Sequence, residues 1–157
     1  MNIATSLDTK LWIYQISRKV DEQESSDILE KTNAFLGSWK AHGKPLSAKA
    51  HILHDLFLII ELDSTAANAS GCSIDAMVKF LKELEADKDF TFFDRERVSF
   101  LQNDKVIDCS VAELQEMYES GNIDNDTIFF NTLIDKGSDW DEKWKSPLKD
   151  SWQKRLI

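Results

Sequence analysis

Leu56-Phe57-Leu58-Ile59-Ile60 is the longest apolar run of the chain, and the other predicted elements are arranged around it. Large apolar residues without polar alternation are typical of a strand that is covered on both faces. We therefore predict a strand from Leu56 to Asp63 in the middle of a sheet. The residues Ala48 to Leu53 predict a second strand, and His54-Asp55 is then the tight connection between the two.

Strand and helix patterns alternate on both sides of this pair. In chain order they predict a strand at Lys10 to Ser17, a helix at Asp21 to Ala41, a helix at Ser73 to Asp87 and a strand at Phe90 to Phe93. The order β-α-β-β-α-β is compatible with a split βαβ, ferredoxin-like core.

The last third of the chain predicts a unit appended to that core. Its patterns are a hairpin of Arg97 to Leu101 with Lys105 to Cys109, a helix at Val111 to Ser120 and a strand at Thr127 to Ile134. A Trp-rich tail follows from Ser138 to Ile157, in which Ser146-Pro147 suits the start of a short helix. The prediction is a single α+β domain over residues 1–157, with helices on a mixed sheet.

Composition argues against several classes of protein. At 157 residues, with 42% hydrophobic and 30% charged residues, the chain can form one globular domain with its own core. The net charge of −9 opposes binding to a nucleic-acid backbone, so we expect no nucleic-acid partner. We also expect no membrane insertion, because the apolar runs are too short to cross a bilayer. Two widely spaced cysteines are typical of free thiols, which favours the cytoplasm.

The turn at Asn68 to Asp75 lies between a predicted strand and a predicted helix. The free N–H groups at a helix start favour an anion and lower the pKa of a thiol placed there. The candidate anion or ligand site comprises Ser70, Gly71, Cys72, Ser73 and Asp75. In this interpretation Cys72 is a reactive thiolate, and the N–H groups of Ser73 and Ile74 are the donors. The alternative is a tightly packed turn in which Ser73 caps the helix and Cys72 is a small buried hydrophobe.

His42 is the candidate base for that thiol, because a Cys–His pair requires only proximity in the fold. The alternative is a histidine at the end of the first helix, where it complements the helix dipole ahead of Gly43. His51 and His54 lie three residues apart on predicted strands and would point to opposite faces. The sequence therefore predicts no metal site, and no motif calls for a cofactor.

Trp140, Trp144 and Trp152 in the tail have two interpretations. Exposed aromatic side chains anchor interfaces, so the three residues are candidates for a surface that binds a protein partner. The alternative is that they dock the tail onto the core.

Short motifs along nearly the whole chain resemble one family. They are Trp12-Ile13-Tyr14, Phe35-Leu36 with Trp39, Ala41-His42-Gly43, Pro45-Leu46, Ala69 to Asp75 and Ser151-Trp152. The family is a group of short bacterial proteins that carry the label "ABC transporter ATPase". The nearest approach to a P-loop, Gly37 to Pro45, has one residue too many between its glycines and a proline in place of Ser or Thr. The residues themselves therefore predict no ATP hydrolysis by this chain alone.

We predict a cytoplasmic binding or accessory protein, because no complete catalytic, nucleotide or metal arrangement can be assembled from the sequence. One alternative is a small thiol-dependent enzyme or redox sensor that uses Cys72, with His42 as its base. The other is an acidic inhibitor or immunity-type protein whose negative surface meets a basic partner.

Overall fold

The computed structural model describes residues 3–157, which form two main antiparallel sheets, a small two-stranded sheet and several helices. The elements in chain order are β1 (Thr9–Gln15), α1 (Glu22–Leu36), β2 (Lys40–Ala41), β3 (Lys44–Pro45), β4 (Ser47–Leu53), β5 (Phe57–Asp63), α2 (Gly71–Glu85), β6 (Arg97–Gln102), β7 (Lys105–Ser110), α3 (Val111–Glu119), β8 (Ile128–Phe130), α4 (Trp140–Lys143) and β9 (Lys145–Pro147). Short 3-10 helices lie at Gly137–Asp139, Leu148–Asp150 and Trp152–Leu156. The predicted α+β class is confirmed.

The strand β5 occupies the centre of the first sheet, whose strand order is β1-β5-β4. Its residues from Phe57 to Leu62 are all buried. Because side chains alternate between the two faces of a strand, Leu58 and Ile60 pack in the cluster under α1 and α2, whereas Phe57 and Ile59 pack toward the second sheet. The apolar run thus takes the central position that its composition predicts.

The first half of the chain has the predicted split βαβ topology. Both β1 and β4 pair antiparallel with β5, which lies between them, and α1 connects these two outer strands along the chain. The helices α1 and α2 contribute Ile28, Leu36, Met77 and Leu81 to the cluster on one face of this sheet.

The predicted fourth strand of this core, at Phe90 to Phe93, is wrong. These residues follow α2 without regular structure. The carboxylate of Glu85, at the end of α2, accepts hydrogen bonds from the N–H of Phe92 at 2.6 Å and from Oγ1 of Thr91 at 3.0 Å. A side chain therefore holds the N–H of Phe92, a donor that a strand would give to its neighbour.

The first helix ends earlier than predicted. It begins after the N-cap Asp21, whose side chain forms a capping box with Glu24, and it stops at Leu36 instead of Ala41. The next residues form the β2–β3 hairpin, in which His42 and Gly43 take positive φ angles of 52° and 79°. His42 therefore lies in an exposed turn, and the prediction of a histidine at the helix end is wrong.

Two further hairpins have tight turns of the same kind. His54 and Asp55 have φ angles of 55° and 56°, and Asn103 and Asp104 have 52° and 62°. Positive φ at both central residues matches the right-handed twist of the flanking strands. The predicted connections between β4 and β5 and between β6 and β7 are thus confirmed.

The second sheet has the strand order β7-β6-β8-β9. One of its faces contributes Val106 and Phe130 to a cluster with Phe57 and Ile59 of β5, and Trp144 packs into the same cluster from the segment between α4 and β9. The other face packs beneath α3 and the tail in a separate cluster. The appended hairpin, helix and strand are confirmed, although β8 is only three residues long. Ser146-Pro147 ends β9, and a 3-10 helix begins directly after it at Leu148, with Pro147 as its N-cap.

Every helix within residues 3–157 is too short or too polar to traverse a lipid bilayer.

Candidate functional site

The outer edge of β1 is only partly paired. The N–H of Ile16 donates to the carbonyl of Leu56 at 2.7 Å, so the even-numbered residues of β1 direct their backbone groups toward β5 and the odd-numbered ones direct them outward. Leu11 donates outward to the carbonyl of Asp135 at 3.0 Å, and Ser17 donates to the carbonyl of Thr91 at 3.0 Å.

Between these two contacts the edge is open. Ile13 and Gln15 are the outward-facing residues in this interval, and within residues 3–157 their N–H groups have no hydrogen-bond acceptor. A turn at Thr132 and Leu133 carries the chain away from the edge before it rejoins at Asp135. The sheet therefore stops at β1, where a ferredoxin-like core would place its fourth strand.

A groove of about 740 Å³ lies along this open edge. It is bounded by residues 13–15 of β1, by Val78 and Lys82 of α2, by residues 92–95, by Arg97, by the turn at 132–133 and by Trp152. We call it the edge groove. It brings together two of the predicted units, the split βαβ core and the appended unit with its tail.

Three nitrogen atoms in the walls of the edge groove are buried without a hydrogen-bond acceptor among the described residues. They are Nε2 of Gln15, Nε of Arg97 and Nε1 of Trp152. Gln15 is 7% exposed, so its amide is largely withdrawn from solvent. Arg97 retains an ion pair from its Nη2 to Asp108 on β7, which fixes the guanidinium while Nε remains unpaired. All three groups are donors, and because each atom is buried, a ligand pairs with them only by carrying acceptor atoms past the surface of the groove.

The charge of the groove opposes the charge of the whole chain. Lys82, Arg95 and Arg97 line it together with a single carboxylate, Asp94, and the charge of Arg97 is balanced by Asp108. Lys82 and Arg95 against Asp94 leave the lining positive, although the chain has a net charge of −9. Cationic side chains in a concave site attract anionic groups more effectively than the same charges on an open surface.

Aromatic side chains form the apolar part of the groove. Tyr14 and Phe93 pack edge to face, with ring centroids 5.4 Å apart, and Nζ of Lys82 lies 5.7 Å from the centroid of Phe93. Burial raises the pKa of the Tyr14 phenol to about 12, so this residue is neutral in ordinary buffers. The groove can hold a ligand that combines an apolar part with an acidic or carbonyl-rich part.

The predicted anion site at the start of α2 is arranged differently from the expectation. Ser70, not Ser73, is the N-cap, and the two serines form a capping box. The N–H of Ser73 donates to Oγ of Ser70 at 3.2 Å, and the N–H of Ile74 donates to the carbonyl of Ser70 at 3.0 Å. Both predicted anion donors are thus engaged within the helix terminus. Gly71 begins the helix, and Asp75 lies in its second turn.

The thiol and its predicted base are not joined. Cys72 is exposed in the first turn of α2, so its interpretation as a buried hydrophobe is wrong. His42 lies in the β2–β3 turn, and in the described part of the chain no hydrogen bond links the two side chains. Reactivity of Cys72 stays a prediction.

The three tail tryptophans have separate environments. Trp144 is 5% exposed, and its ring centroid lies 5.0 Å from that of Phe57 and 5.1 Å from that of Phe130. Trp140 stacks on Trp144 with a centroid distance of 4.6 Å. Trp144 therefore docks the tail, and it cannot serve as an exposed contact. Trp152 is the one that reaches the edge groove.

A second polar cluster was not anticipated by the sequence analysis. Glu61 of β5 is buried, and its Oε1 accepts a hydrogen bond from the N–H of Ala4 at 2.7 Å. Its Oε2 lies 3.4 Å from Nζ of Lys49 and 3.7 Å from Nε2 of His51. In the predicted strand Glu61 is simply the first polar residue after the apolar run, so burial could not be inferred. No group of three or more His, Cys, Asp or Glu side chains in residues 3–157 could hold a metal ion.

The residues of the edge groove were also missed, apart from Trp152. Gln15 fits a strand alternation and Arg97 begins a hairpin, and neither pattern indicates that both face one groove. Comparisons with protein families, with curated proteins and with solved structures found no match.

Proposed function

We propose that this chain is a binding protein and that its ligand occupies the edge groove through hydrogen-bond acceptors and negative charge. The observation that carries the proposal is the set of unpartnered donors on Gln15, Arg97 and Trp152. A buried donor without an acceptor costs about 1–3 kcal/mol. A ligand that supplies acceptors at these positions offsets part of that cost, which favours the bound state.

The lining of the groove supports the same reading. Lys82 and Arg95 add positive charge to the groove, while Tyr14 and Phe93 offer apolar contact area. Ligand sites commonly combine apolar walls with a few polar groups that fix orientation.

Titration with N-acetylglutamate tests the proposal, because this molecule carries two carboxylates and an amide. Nuclear magnetic resonance of the labelled protein follows the side-chain N–H signals of Gln15, Arg97 and Trp152. We expect these signals to shift together and to saturate. Trp152→Phe removes one donor and weakens binding, whereas the matched change Trp140→Phe, outside the groove, leaves it unchanged. Shifts confined to the start of α2 or to Trp140 would place the ligand elsewhere and overturn the proposal.

We further propose a cytoplasmic location. Cys72 and Cys109 are free cysteines, one exposed and one buried, and free thiols are typical of a reducing compartment. An exposed thiol that is recovered fully reduced from cells would support this location, and a mixed disulfide at Cys72 would contradict it.

A further inference from the structure

We propose that the ligand of the edge groove is an extended peptide segment, which pairs with the open edge of β1 as an added strand and places a carboxylate among the donors on Gln15, Arg97 and Trp152. This inference rests on the proposed function and specifies its ligand.

The backbone groups of β1 alternate in direction along the strand. Ile13 and Gln15 point their N–H and C=O groups away from β5, and none of these four groups has a partner within residues 3–157. They repeat at every second residue, which is the spacing that an antiparallel strand requires. A small anion could reach one N–H but not both, because residues two apart along a strand are separated by about 7 Å. An extended peptide reaches both.

The open edge of β1 has a limited length. The chain covers the edge of β1 at Leu11, through Asp135, and again at Ser17, through Thr91. The six residue steps from Leu11 to Ser17 span about 20 Å, and the stretch between the two closing contacts accommodates an extended segment of roughly five residues. The residues at Phe90 to Phe93 would be the natural occupants in a ferredoxin-like sheet, but Glu85 holds the N–H of Phe92. The position is therefore left to another segment.

A carboxylate on the bound peptide would lie beside Gln15. Residues that face each other on paired strands project their side chains to the same face of the sheet. A peptide residue opposite Gln15 therefore projects its side chain to the face on which Gln15 lies, and Nε2 of Gln15 is an unpartnered donor. Arg95 and Arg97 line the same groove, where Asp108 already pairs with Arg97, and Lys82 adds positive charge from α2 on the opposite face of the sheet. An acidic side chain or a free C-terminus provides the same carboxylate chemistry.

The test uses the unmodified protein and acetylated, amidated pentapeptides with the sequence Val-Thr-Glu-Val-Thr. We expect the backbone N–H signals of Ile13 and Gln15 to shift and to become protected from hydrogen exchange. Replacing Glu in the peptide by Gln should weaken binding about tenfold, since a hydrogen bond to a charged group is lost. A peptide of the same sequence with free termini is the second probe. If it binds more tightly than the acetylated, amidated Glu peptide, the free C-terminus is the source of the carboxylate.

Strand pairing has a specific signature in N-methylated peptides. N-methylation at the alternate peptide residues whose N–H groups point to β1 should reduce affinity about tenfold or more for each N–H removed. N-methylation at the residues between them, whose N–H groups point away from β1, should have little effect. The protein variant Arg95→Gln should weaken the Glu peptide selectively, while Arg155→Gln, at an exposed position outside the groove, serves as its control. Equal loss of affinity at every methylated position would overturn strand pairing.

The two proposals fail in different ways. If N-acetylglutamate shifts the side-chain donors but no peptide protects Ile13 and Gln15, the groove binds small acids and strand addition is wrong. If neither probe acts on the groove, both proposals fall. If the free protein forms a dimer that protects Ile13 and Gln15, a second copy of the chain is the occupant and the peptide proposal is overturned.

Discussion

Oε2 of Glu61 lies 3.7 Å from Nε2 of His51, with the two side chains 6% and 12% exposed. The residues are on the adjacent strands β5 and β4, on the face that the second sheet covers. Nε2 of His51 has no hydrogen-bond partner among residues 3–157, and the two side chains form an ion pair only when His51 is protonated.

Stability should fall as the pH decreases through the range in which an unfolded histidine is protonated. Burial lowers the pKa of His51, and this effect exceeds the opposing attraction of Glu61; burial likewise lowers the pKa of His54. Below about pH 6.5 the unfolded chain binds protons that the folded chain does not, so the free energy of unfolding decreases. Denaturant titrations between about pH 7.5 and about pH 5.5 measure this slope. His51→Gln should reduce it.

That pH window isolates the histidines from the strongest carboxylate effects. The pKa of Glu24 is lowered to about 2 by hydrogen bonds from Arg18 and from the backbone of Asp21, so its contribution is lost only in much stronger acid. A slope that is the same in His51→Gln as in the wild type would contradict the assignment to His51.

Removal of the Glu61 side chain should destabilise the protein by about 1–3 kcal/mol, because Glu61→Ala leaves the N–H of Ala4 without its acceptor. The matched variant is Lys49→Ala. Lys49 is 63% exposed, and its ion pair with Glu61 should contribute less than about 1 kcal/mol. Chemical denaturation of both variants checks the comparison, and equal losses would mean that the charge pair, not the backbone contact, is the important interaction.

Gly137 should not tolerate a side chain. An added Cβ would overlap the carbonyl oxygen of Ala4 and lie 2.7 Å from Cβ of Thr9, so Gly137→Ala should cost about 1–3 kcal/mol through overpacking. At Gly71, the first residue of α2, an added Cβ meets nothing within 4 Å. Gly71→Ala should be neutral or stabilise by up to about 1 kcal/mol. Thermal unfolding of the two variants shows directly whether each substitution stabilises or destabilises the protein.

Trp144 should contribute most of the free energy that docks the tail. It is buried against Phe57 and Phe130, and Trp144→Ala should cost about 3–5 kcal/mol. Trp140 stacks on it but is only partly buried, so Trp140→Ala should cost less. Limited proteolysis provides a second readout, since loss of docking exposes the tail. A larger loss for Trp140→Ala would reverse the assigned roles.

The two cysteines should differ in reactivity. Cys72 is exposed, whereas Cys109 is buried and its pKa is raised to about 11, chiefly by that burial. Iodoacetamide at about pH 8 should therefore label the native protein once, at Cys72, because only a thiolate reacts. Mass spectrometry of Cys72→Ser should show no adduct until denaturant is added. Rapid labelling of Cys109 in the native state would show that the second sheet opens readily.

Local sequence patterns predicted the elements that need no distant partner. The run from Leu56 to Ile60 is apolar at every position, so it forms a buried strand wherever the sheet lies. The turn at His54-Asp55 was also predictable, because it joins two strands that are neighbours in the chain and pair with each other. Errors arose where a contact from elsewhere in the chain intervenes. Phe90 to Phe93 has a strand composition, but Glu85 takes its donors.

The end of α1 and the edge groove illustrate the same limit. Trp39 continues the apolar spacing of α1, yet it lies beyond the end of that helix at Leu36. Its Nε1 donates instead to the carbonyl of Ser73 on α2 at 2.7 Å. The groove draws its donors from Gln15, Arg97 and Trp152, which are far apart in the chain. No window of the sequence contains more than one of them, so only the fold could assemble the site.

The open interval on β1 also bears on how the chain avoids forming fibrils. An uncovered strand edge is a template for cross-β growth, which depends on matched segments of about six residues. Here the chain itself closes the edge on both sides, at Asp135 and at Thr91, and leaves only Ile13 and Gln15 facing outward. A longer strand from another molecule would have to displace those closures first. The edge can therefore accept a short segment without becoming a seed for aggregation.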